Sequence, residues 1–247
     1  MISRLLGWCV LLCGTFLPVP AETTLRVAAA SNLHVVTGPL VEAFARDHPA
    51  VDLEFSYGSS GNLVAQIRQG APFDVFLSAD LTYPEALIEA GHAKPTSLMI
   101  FAYGQLVLWP WPETKDWKKT LLSPSVQRIA IAQPDTAPFG IAAREFLRSH
   151  GAWKTVESKI ILGENVAQAL HFAESGNTDY AFVAASLLIG RPELENGLVL
   201  PGMDDALAHG AVTITGRGHE RLAQRFLDWL RGETARGILS AHGYRLP

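Results

Sequence analysis

The sequence predicts an α/β protein that is divided into two lobes, and three observations support this. Strand-like and helix-like stretches alternate along the chain, which is typical of parallel sheets covered by helices. The alternation stops and restarts near Gln105, and after Pro201 the chain closes with two amphipathic segments, His219–Leu230 and Thr234–Ala241. We therefore expect residues 22–102 and 201–247 to form the first lobe, and residues 103–200 to form the second.

The individual elements are predicted from the spacing of apolar residues and from the Pro and Gly residues that end helices. Short apolar or alternating runs predict the strands: Leu25–Ala30, Val51–Tyr57, Asp74–Ala79, Gln105–Trp109, Arg128–Ala132, Lys159–Leu162 and Tyr180–Ala184. Apolar residues at helical spacing, usually followed by Pro or Gly, predict the helices: one through Leu40, Val41, Phe44 and His48, then Asn62–Gln69, Pro84–Ala90, Ile141–Ser149 and Val166–Glu174.

Residues 1–21 have the pattern of a cleavable signal peptide, which predicts a secreted protein. Arg4 precedes an apolar run, and Val19 and Ala21 satisfy the small-residue rule for cleavage after Ala21. The run is shorter than the roughly 20 apolar residues of a membrane-spanning helix, so a membrane anchor is the weaker interpretation. Both cysteines, Cys9 and Cys13, lie in this segment, and lipid attachment at Cys13 stays open.

The net charge of the chain limits which binding partners are expected. Removing residues 1–21 removes only Arg4 from the 20 basic side chains and leaves the 24 acidic ones, so the mature chain has a net charge of −5. This balance gives no indication of a nucleic-acid partner, which a basic stripe would reveal. An anion would have to be captured by local donors.

Small and polar residues occur at four places where a predicted strand leads into a helix. These joints are Ser31-Asn32, Ser59-Ser60, Pro138-Phe139-Gly140 and residues 163–166, two in each half of the chain. Ligands of such sheets bind where strands end and helices begin, and the first turn of a helix offers unpaired N–H groups and partial positive charge. Because none of the joints contains Lys or Arg, the pattern favours a neutral, donor-rich oxyanion site. Each joint alone is more typical of helix capping and turns, and only the set of four favours a ligand site.

The joints also carry a family resemblance. The stretches RVAAASNL (26–33), YGSSGNLVAQIRQGAPFDVFLSAD (57–80), LVLW (106–109), APFGIAAREFL (137–147) and GENVAQAL (163–170) resemble the periplasmic molybdate-binding proteins of ATP-driven importers. The resemblance covers essentially the whole mature chain. It implies a type II periplasmic binding fold with a ligand cleft between the lobes. It also implies a monomeric receptor that captures molybdate, and tungstate with it, for the membrane permease of an ABC importer, without a cofactor.

The resemblance further implies which residues bind the anion. The family's ligand positions fall on Ser31, on the Ser59/Ser60 pair, on Phe139 and on Val166, with Asn32 as a further candidate. Hydroxyls and amides would serve in the first lobe, and backbone N–H groups in the second. Many members also donate from a tyrosine after a later strand, where this chain has Ala184.

Several alternatives stay open. The eight histidines are scattered without metal-ligand spacing, so we expect most of them on the surface and no metal site. A receptor with the same fold could bind another oxyanion, such as sulfate. A receptor for an organic ligand, such as an amino acid, would need a fixed Arg or acidic partner at a joint. A secreted hydrolase would need an activated nucleophile, and GSSG at 58–61 is not the Gly-x-Ser-x-Gly elbow. We therefore expect a binding protein and not an enzyme.

Overall fold

The computed structural model describes residues 23–111, 116–192, 196–203 and 205–247. The predicted signal peptide, with Cys9 and Cys13, lies outside the described residues. In chain order the strands are β1 Thr23–Ala30, β2 Val51–Gly58, β3 Val75–Leu77, β4 Met99–Tyr103, β5 Leu106–Trp109, β6 Ile129–Ala132, β7 Ile160–Gly163, β8 Tyr180–Ala184, β9 Leu198–Val199 and β10 Ala208–Thr213. The helices are α1 His34–Asp47, α2 Ser60–Arg68, α3 Thr82–Glu89, α4 Trp117–Leu122, α5 Pro138–Ser149, α6 Trp153–Val156, α7 Val166–Glu174, α8 Glu220–Leu230 and α9 Glu233–Ala241.

The strands form two five-stranded sheets, which confirms the predicted two-lobe α/β fold. The first sheet has the order β2-β1-β3-β10-β4, and the second has the order β7-β6-β8-β5-β9. Strands of the first sheet come from residues 23–103 and 208–213, and strands of the second come from residues 106–199. Helices α1, α2, α3, α8 and α9 pack with the first sheet, and α4 to α7 form the helical layer of the second.

Each sheet contains the predicted parallel pairing, but the strands nearest the crossovers run antiparallel. β1 pairs in parallel with β2 and β3, and β6 pairs in parallel with β7 and β8. However, β10 runs antiparallel to β3 and β4, and β5 runs antiparallel to β8 and β9. These antiparallel strands lie on either side of the two places where the chain leaves one sheet and enters the other, so their direction is set by the crossing.

Two strands beside the crossovers were missed by the sequence patterns. β4 (MIFAY) is almost uniformly apolar and shows no alternation, and β10 (AHGAVT) contains Ala, Gly and a fully buried His209. Such compositions carry little strand signal. The short elements α4, α6 and β9 were also missed.

The first sheet is buried on both faces, and this decides where its helices lie. Leu25, Val27 and Ala29 point into a large cluster with Phe44 of α1 and Phe226 of α8. The opposite face holds Ala28, Phe76 and Val212 against Leu63, Val64 and Ile67 of α2 and Leu87 of α3. The end of this sheet at which β1, β2 and β3 terminate faces the second lobe, because Ala30, Gly58 and Ala79 line one pocket together with residues 137–139. Among the described residues, no helix is both long and apolar enough to cross a membrane.

Candidate functional site

The six residues proposed from the sequence line one pocket between the two lobes. Ser31, Asn32, Ser59, Ser60, Phe139 and Val166 all contribute to its walls, together with Ala30, Gly58, Ala79, Ala137, Pro138 and Asn165. The pocket holds about 190 Å³ of space, part of which opens to solvent. All six are at least nine-tenths buried, so a small ion held there would be largely withdrawn from water.

The first-lobe wall is built where β1 and β2 end side by side. Ala30 and Gly58 are register partners at the ends of these parallel strands, so the residues that follow them, Ser31 and Ser59, are brought together. Ser31 opens a 3-10 turn, Ser31–Leu33, whose N-cap has no side-chain hydrogen bond. The alternative that these polar residues serve only as helix caps therefore does not apply to Ser31.

The two serines of the second joint have different partners. Ser60 begins α2, and its Oγ accepts a hydrogen bond from the Ala79 N–H at 3.2 Å. Because that bond uses an oxygen lone pair, the Ser60 hydroxyl proton stays available to a ligand. Ser59 Oγ donates to Thr136 Oγ1 of the second lobe at 3.4 Å, and its side chain does not cap the helix. Ser60 is thus the better placed donor, and Ser59 contacts the opposite lobe.

In the second lobe, α5 presents the Phe139 N–H to the pocket. Pro138 occupies the first helical position and has no N–H, so the first donor of the helix belongs to Phe139. The N–H groups of Gly140 and Ile141 already bond to the Ala137 carbonyl, at 2.9 and 3.0 Å. A Cβ at Gly140 would lie 2.1 Å from the Ala132 carbonyl oxygen, so glycine is needed to pack the start of α5 against β6.

The start of α7 leaves the Val166 N–H for a ligand in a similar way. Asn165 is the N-cap, and its Oδ1 accepts from the N–H groups of Ala167 and Gln168, both at 3.1 Å. The cap thereby accepts from the N–H groups at the second and third helical positions and does not accept from the N–H group at the first position, Val166. At this joint the capping interpretation holds for Asn165, while Val166 keeps its predicted role as a candidate donor.

The pocket wall contains no charged side chain among the described residues. Its donors are hydroxyls and backbone N–H groups at three helix starts and one 3-10 turn, where the aligned peptide dipoles favour negative charge. Without a lysine or arginine, the site offers fixed donors at fixed positions rather than a mobile counter-charge. Ala184, the position at which the family resemblance implies a tyrosine in other members, is buried at the end of β8 and does not line the pocket.

Several hydrogen bonds join the lobes beside the pocket, and no sequence pattern predicted them. Gly61 N–H donates to the Thr136 carbonyl at 2.8 Å, and Tyr83 Oη donates to the Asp135 carbonyl at 3.3 Å. A Cβ at Gly61 would lie 2.9 Å from that Thr136 oxygen and 2.8 Å from Tyr83 Oη. Thr136 and Gly61 therefore form a close backbone contact between the lobes that only glycine permits.

A buried polar cluster under the first-lobe wall was also missed. Asn32 Nδ2 lies 2.8 Å from His209 Nε2 and 2.9 Å from Tyr244 Oη. Burial lowers the pKa of His209 to about 4, only partly offset by its bond to the Leu207 carbonyl, and burial also raises the pKa of Tyr244. His209 is therefore neutral at physiological pH, and it is the buried exception to the expectation that most histidines lie on the surface. Asn32 is distant from His209 and Tyr244 in sequence, so no local pattern could have revealed the cluster.

Two aspartates near strand ends take structural roles. Asp74 accepts from the Arg26 N–H at 2.8 Å and contacts His219, while Asp80 accepts from Ser78 Oγ at 2.9 Å, so both hold loops near strand ends. Burial raises the pKa of Asp80. Within the described ranges, no group of three or more His, Cys, Asp or Glu is placed to hold a metal ion.

Comparison with known proteins decides the family. Residues 25–245 match the family described as bacterial extracellular solute-binding proteins. The chain belongs to this solute-binding family. A curated relative, the molybdate-binding protein ModA of Rhodobacter capsulatus, is 34% identical to this solute-binding protein, and the match covers 95% of this chain and 92% of the relative.

Solved structures confirm the periplasmic binding fold. The periplasmic molybdate-binding protein of Azotobacter vinelandii superposes with a TM-score of 0.82 at 33% identity, covering 90% of this solute-binding protein and 99% of that chain. The sulfate-binding protein SubI of Mycobacterium tuberculosis superposes with a TM-score of 0.75 at 15% identity, covering 91% of this chain and 87% of that one. The second likeness shows the fold alone, because at that identity the residues of the pocket are not comparable.

Proposed function

We propose that this solute-binding protein captures molybdate, and tungstate with it, and delivers the anion to the membrane permease of an ATP-driven importer. The observation that carries the proposal is the pocket itself, in which six sequence-predicted residues from both lobes form one charge-free, donor-rich wall. The two molybdate-binding proteins that are at least 33% identical to it support the choice of anion.

Size separates molybdate from sulfate, because the two ions carry the same charge. A rigid set of hydroxyls and amides satisfies all oxygens of a tetrahedral anion at only one radius, and molybdate is the larger ion. A smaller ion would leave buried donors unpaired at about 1–3 kcal/mol each. Two such losses give about a hundredfold discrimination or more, since each 1.4 kcal/mol is tenfold. Protonated phosphate is disfavoured because its O–H would need an acceptor, and within the described part of the chain no carboxylate lines the pocket.

The proposed donors are specific atoms. Ser31 and Ser60 would donate hydroxyl protons, Ser59 and Asn32 would contribute through their backbone N–H groups, and Phe139 and Val166 would donate backbone N–H groups from the second lobe. Since donors come from both lobes, the arrangement in which the lobes touch has more ligand contacts than an open one, and the anion would shift the population toward it.

We also propose the lobe bounds and the cellular setting. Residues 22–102 and 201–247 would move as one lobe and residues 103–200 as the other, which agrees with the division of strands between the sheets. The protein would be a monomer without enzymatic activity, secreted to the periplasm after removal of residues 1–21, and it would bind no nucleic acid. A receptor for an organic ligand is the weaker candidate, because no Arg or acidic side chain of the described residues lines the pocket.

Isothermal titration calorimetry of the purified protein tests the proposal. We expect tight binding of molybdate and tungstate, with sulfate and phosphate at least about a hundredfold weaker. Small-angle scattering should show compaction on saturation with molybdate. Equal affinity for sulfate would rule out the pocket as a selective molybdate site, and binding without compaction would rule out closure of the lobes.

A further inference from the structure

Four buried side chains lie where the pocket wall meets the two segments that cross between the lobes. The first crossing segment joins β4 to β5, and the second joins β9 to β10. We call Asn32, Ser186, His209 and Tyr244 the crossover cluster. His209 follows the second crossing segment, and a Cβ at Gly104 in the first would lie 2.6 Å from His209 Cε1. The two crossing segments also bond directly, because Gly104 N–H donates to the Leu207 carbonyl at 2.9 Å. The cluster therefore contacts both crossing segments at once.

The partners of His209 fix the direction of each hydrogen bond. His209 Nδ1 lies 2.8 Å from the Leu207 carbonyl oxygen, which can only accept, so Nδ1 carries the proton. In the neutral ring Nε2 is then an acceptor, and Asn32 Nδ2 must donate to it. Tyr244 Oη donates to the Asn32 carbonyl at 3.0 Å, so it accepts the second proton of the Asn32 amide at 2.9 Å.

Both protons of the Asn32 side-chain amide are thus used within the cluster. Its Oδ1 is buried without a hydrogen-bond partner, so the amide is held through its nitrogen alone. The Asn32 side chain consequently has no donor left for an anion, although it lies beside Ser31 in the pocket wall. This assigns the Asn32 side chain a different role from the binding role expected from the sequence.

The cluster also reaches the second lobe. Ser186 Oγ, in the 3-10 turn after β8, donates to the Asn32 carbonyl at 3.3 Å. The His209 ring meets the Phe139 ring edge-on, with 6.2 Å between the centroids. One set of side chains therefore contacts the turn of the first-lobe wall and the residue that starts the second-lobe wall.

We propose that His209 and Tyr244 are positioning residues of the anion pocket, which hold the Ser31-Asn32 turn in register with the second-lobe wall through the Asn32 amide. The binding readout of this inference rests on the proposed function. Neither residue lines the pocket, so neither would touch the anion.

Tyr244→Phe tests this with the loss of one oxygen atom. The variant loses one bond to the Asn32 amide and one to the Asn32 carbonyl, so we expect about tenfold weaker molybdate binding, within the usual range for two neutral hydrogen bonds. His209→Gln places an amide oxygen where it can still accept from Asn32 and should bind within about threefold of wild type, whereas His209→Leu should lose about tenfold. Tyr180→Phe, on β8 and outside the pocket wall, is the matched control and should bind like wild type.

Nuclear magnetic resonance supplies a readout that needs no ligand. The ¹⁵N shifts of His209 should report a neutral ring protonated at Nδ1 at pH 7, and the Asn32 side-chain amide protons should exchange slowly with solvent. Tyr244→Phe should speed that exchange. If the wild type bound none of the four anions, the proposed function would fail, while these signals would still decide whether the cluster holds the turn.

Two results would overturn the inference. One is a Tyr244→Phe protein that binds molybdate as tightly as wild type while its Asn32 amide exchanges faster. The other is a His209 ring protonated at Nε2 in the wild type. If His209→Leu does not fold, Tyr244→Phe and His209→Gln carry the test.

Discussion

The two walls of the pocket supply hydrogen-bond donors in different ways. The first-lobe wall combines serine hydroxyls with backbone N–H groups and lies on the buried side chains of Asn32, His209 and Tyr244. The proposed donors of the second-lobe wall are the backbone N–H groups of Phe139 and Val166 at two helix starts. A hydroxyl donor of the first wall can be removed by changing a side chain, whereas a donor of the second can be removed only by changing the backbone. This difference determines which substitutions test each wall.

The largest expected effect is a loss of folding stability at low pH, caused by the buried His209 under the first wall. The folded-state pKa of His209 is about 4 against 6.5 for an ordinary histidine. Between these values the unfolded chain takes up a proton that the folded protein does not, so stability falls as the pH is lowered from about 6.5 to 4. Each pKa unit corresponds to 1.36 kcal/mol, which gives a loss of about 3 kcal/mol.

Urea unfolding at several pH values measures this loss. His209→Gln should remove this share of the acid destabilisation while other groups, such as carboxylates, continue to titrate. A wild type and a His209→Gln protein with the same pH profile would show that the first wall does not depend on a neutral histidine.

Ser60→Ala should weaken the first wall most among single donor removals. The change deletes a hydroxyl that can donate to the anion and also leaves the Ala79 N–H without its present acceptor. A charge-assisted hydrogen bond contributes about 1.5–3 kcal/mol, so we expect about fiftyfold weaker molybdate binding in calorimetry. Ser59→Ala, whose hydroxyl contacts Thr136, is the matched control with a smaller loss. Equal losses in both variants would contradict the different roles of the two serines.

Val166→Pro tests the second wall through the backbone. Proline is tolerated at the first helical position, and Asn165 before it is already extended, with φ −147° and ψ 177°. The helix should therefore form without the Val166 N–H, and molybdate affinity should fall about thirtyfold. Val166→Ala keeps the N–H and should stay within about threefold of wild type. A proline variant that binds as well as the alanine variant would remove Val166 from the set of donors.

Gly61→Ala should have the smallest effect, because it acts on the contact between the walls and on no donor of the anion. The new Cβ would lie 2.9 Å from the Thr136 carbonyl oxygen, so it opposes the approach of the lobes. We expect about tenfold weaker binding, mainly through faster release of molybdate in stopped-flow measurements. Gly38→Ala, whose Cβ would meet nothing within 4 Å, is the control. Unchanged release in Gly61→Ala would contradict a closed state that depends on this contact.

The sequence was informative at the joints because their chemistry is local. Ser31, Ser60, Phe139 and Val166 each follow a strand-to-helix break that small or polar residues mark, and the parallel register of β1 and β2 brings the first two together. The crossover strands and the buried cluster could not be read in this way. β10 forms a strand because it pairs with β3 and β4, not because of a pattern in its own sequence. Asn32 contacts His209 and Tyr244, which are 177 and 212 residues away in the sequence.

A crystal structure of the protein grown with molybdate, with anomalous data collected at the molybdenum absorption edge, tests the central proposal most directly. We expect one anomalous peak in the pocket between the lobes. Its oxygens should lie within hydrogen-bond distance of Ser31 Oγ, Ser60 Oγ and the N–H groups of Phe139 and Val166. A molybdenum peak at any other place, or an anion held by one lobe alone, would contradict a site built from both walls.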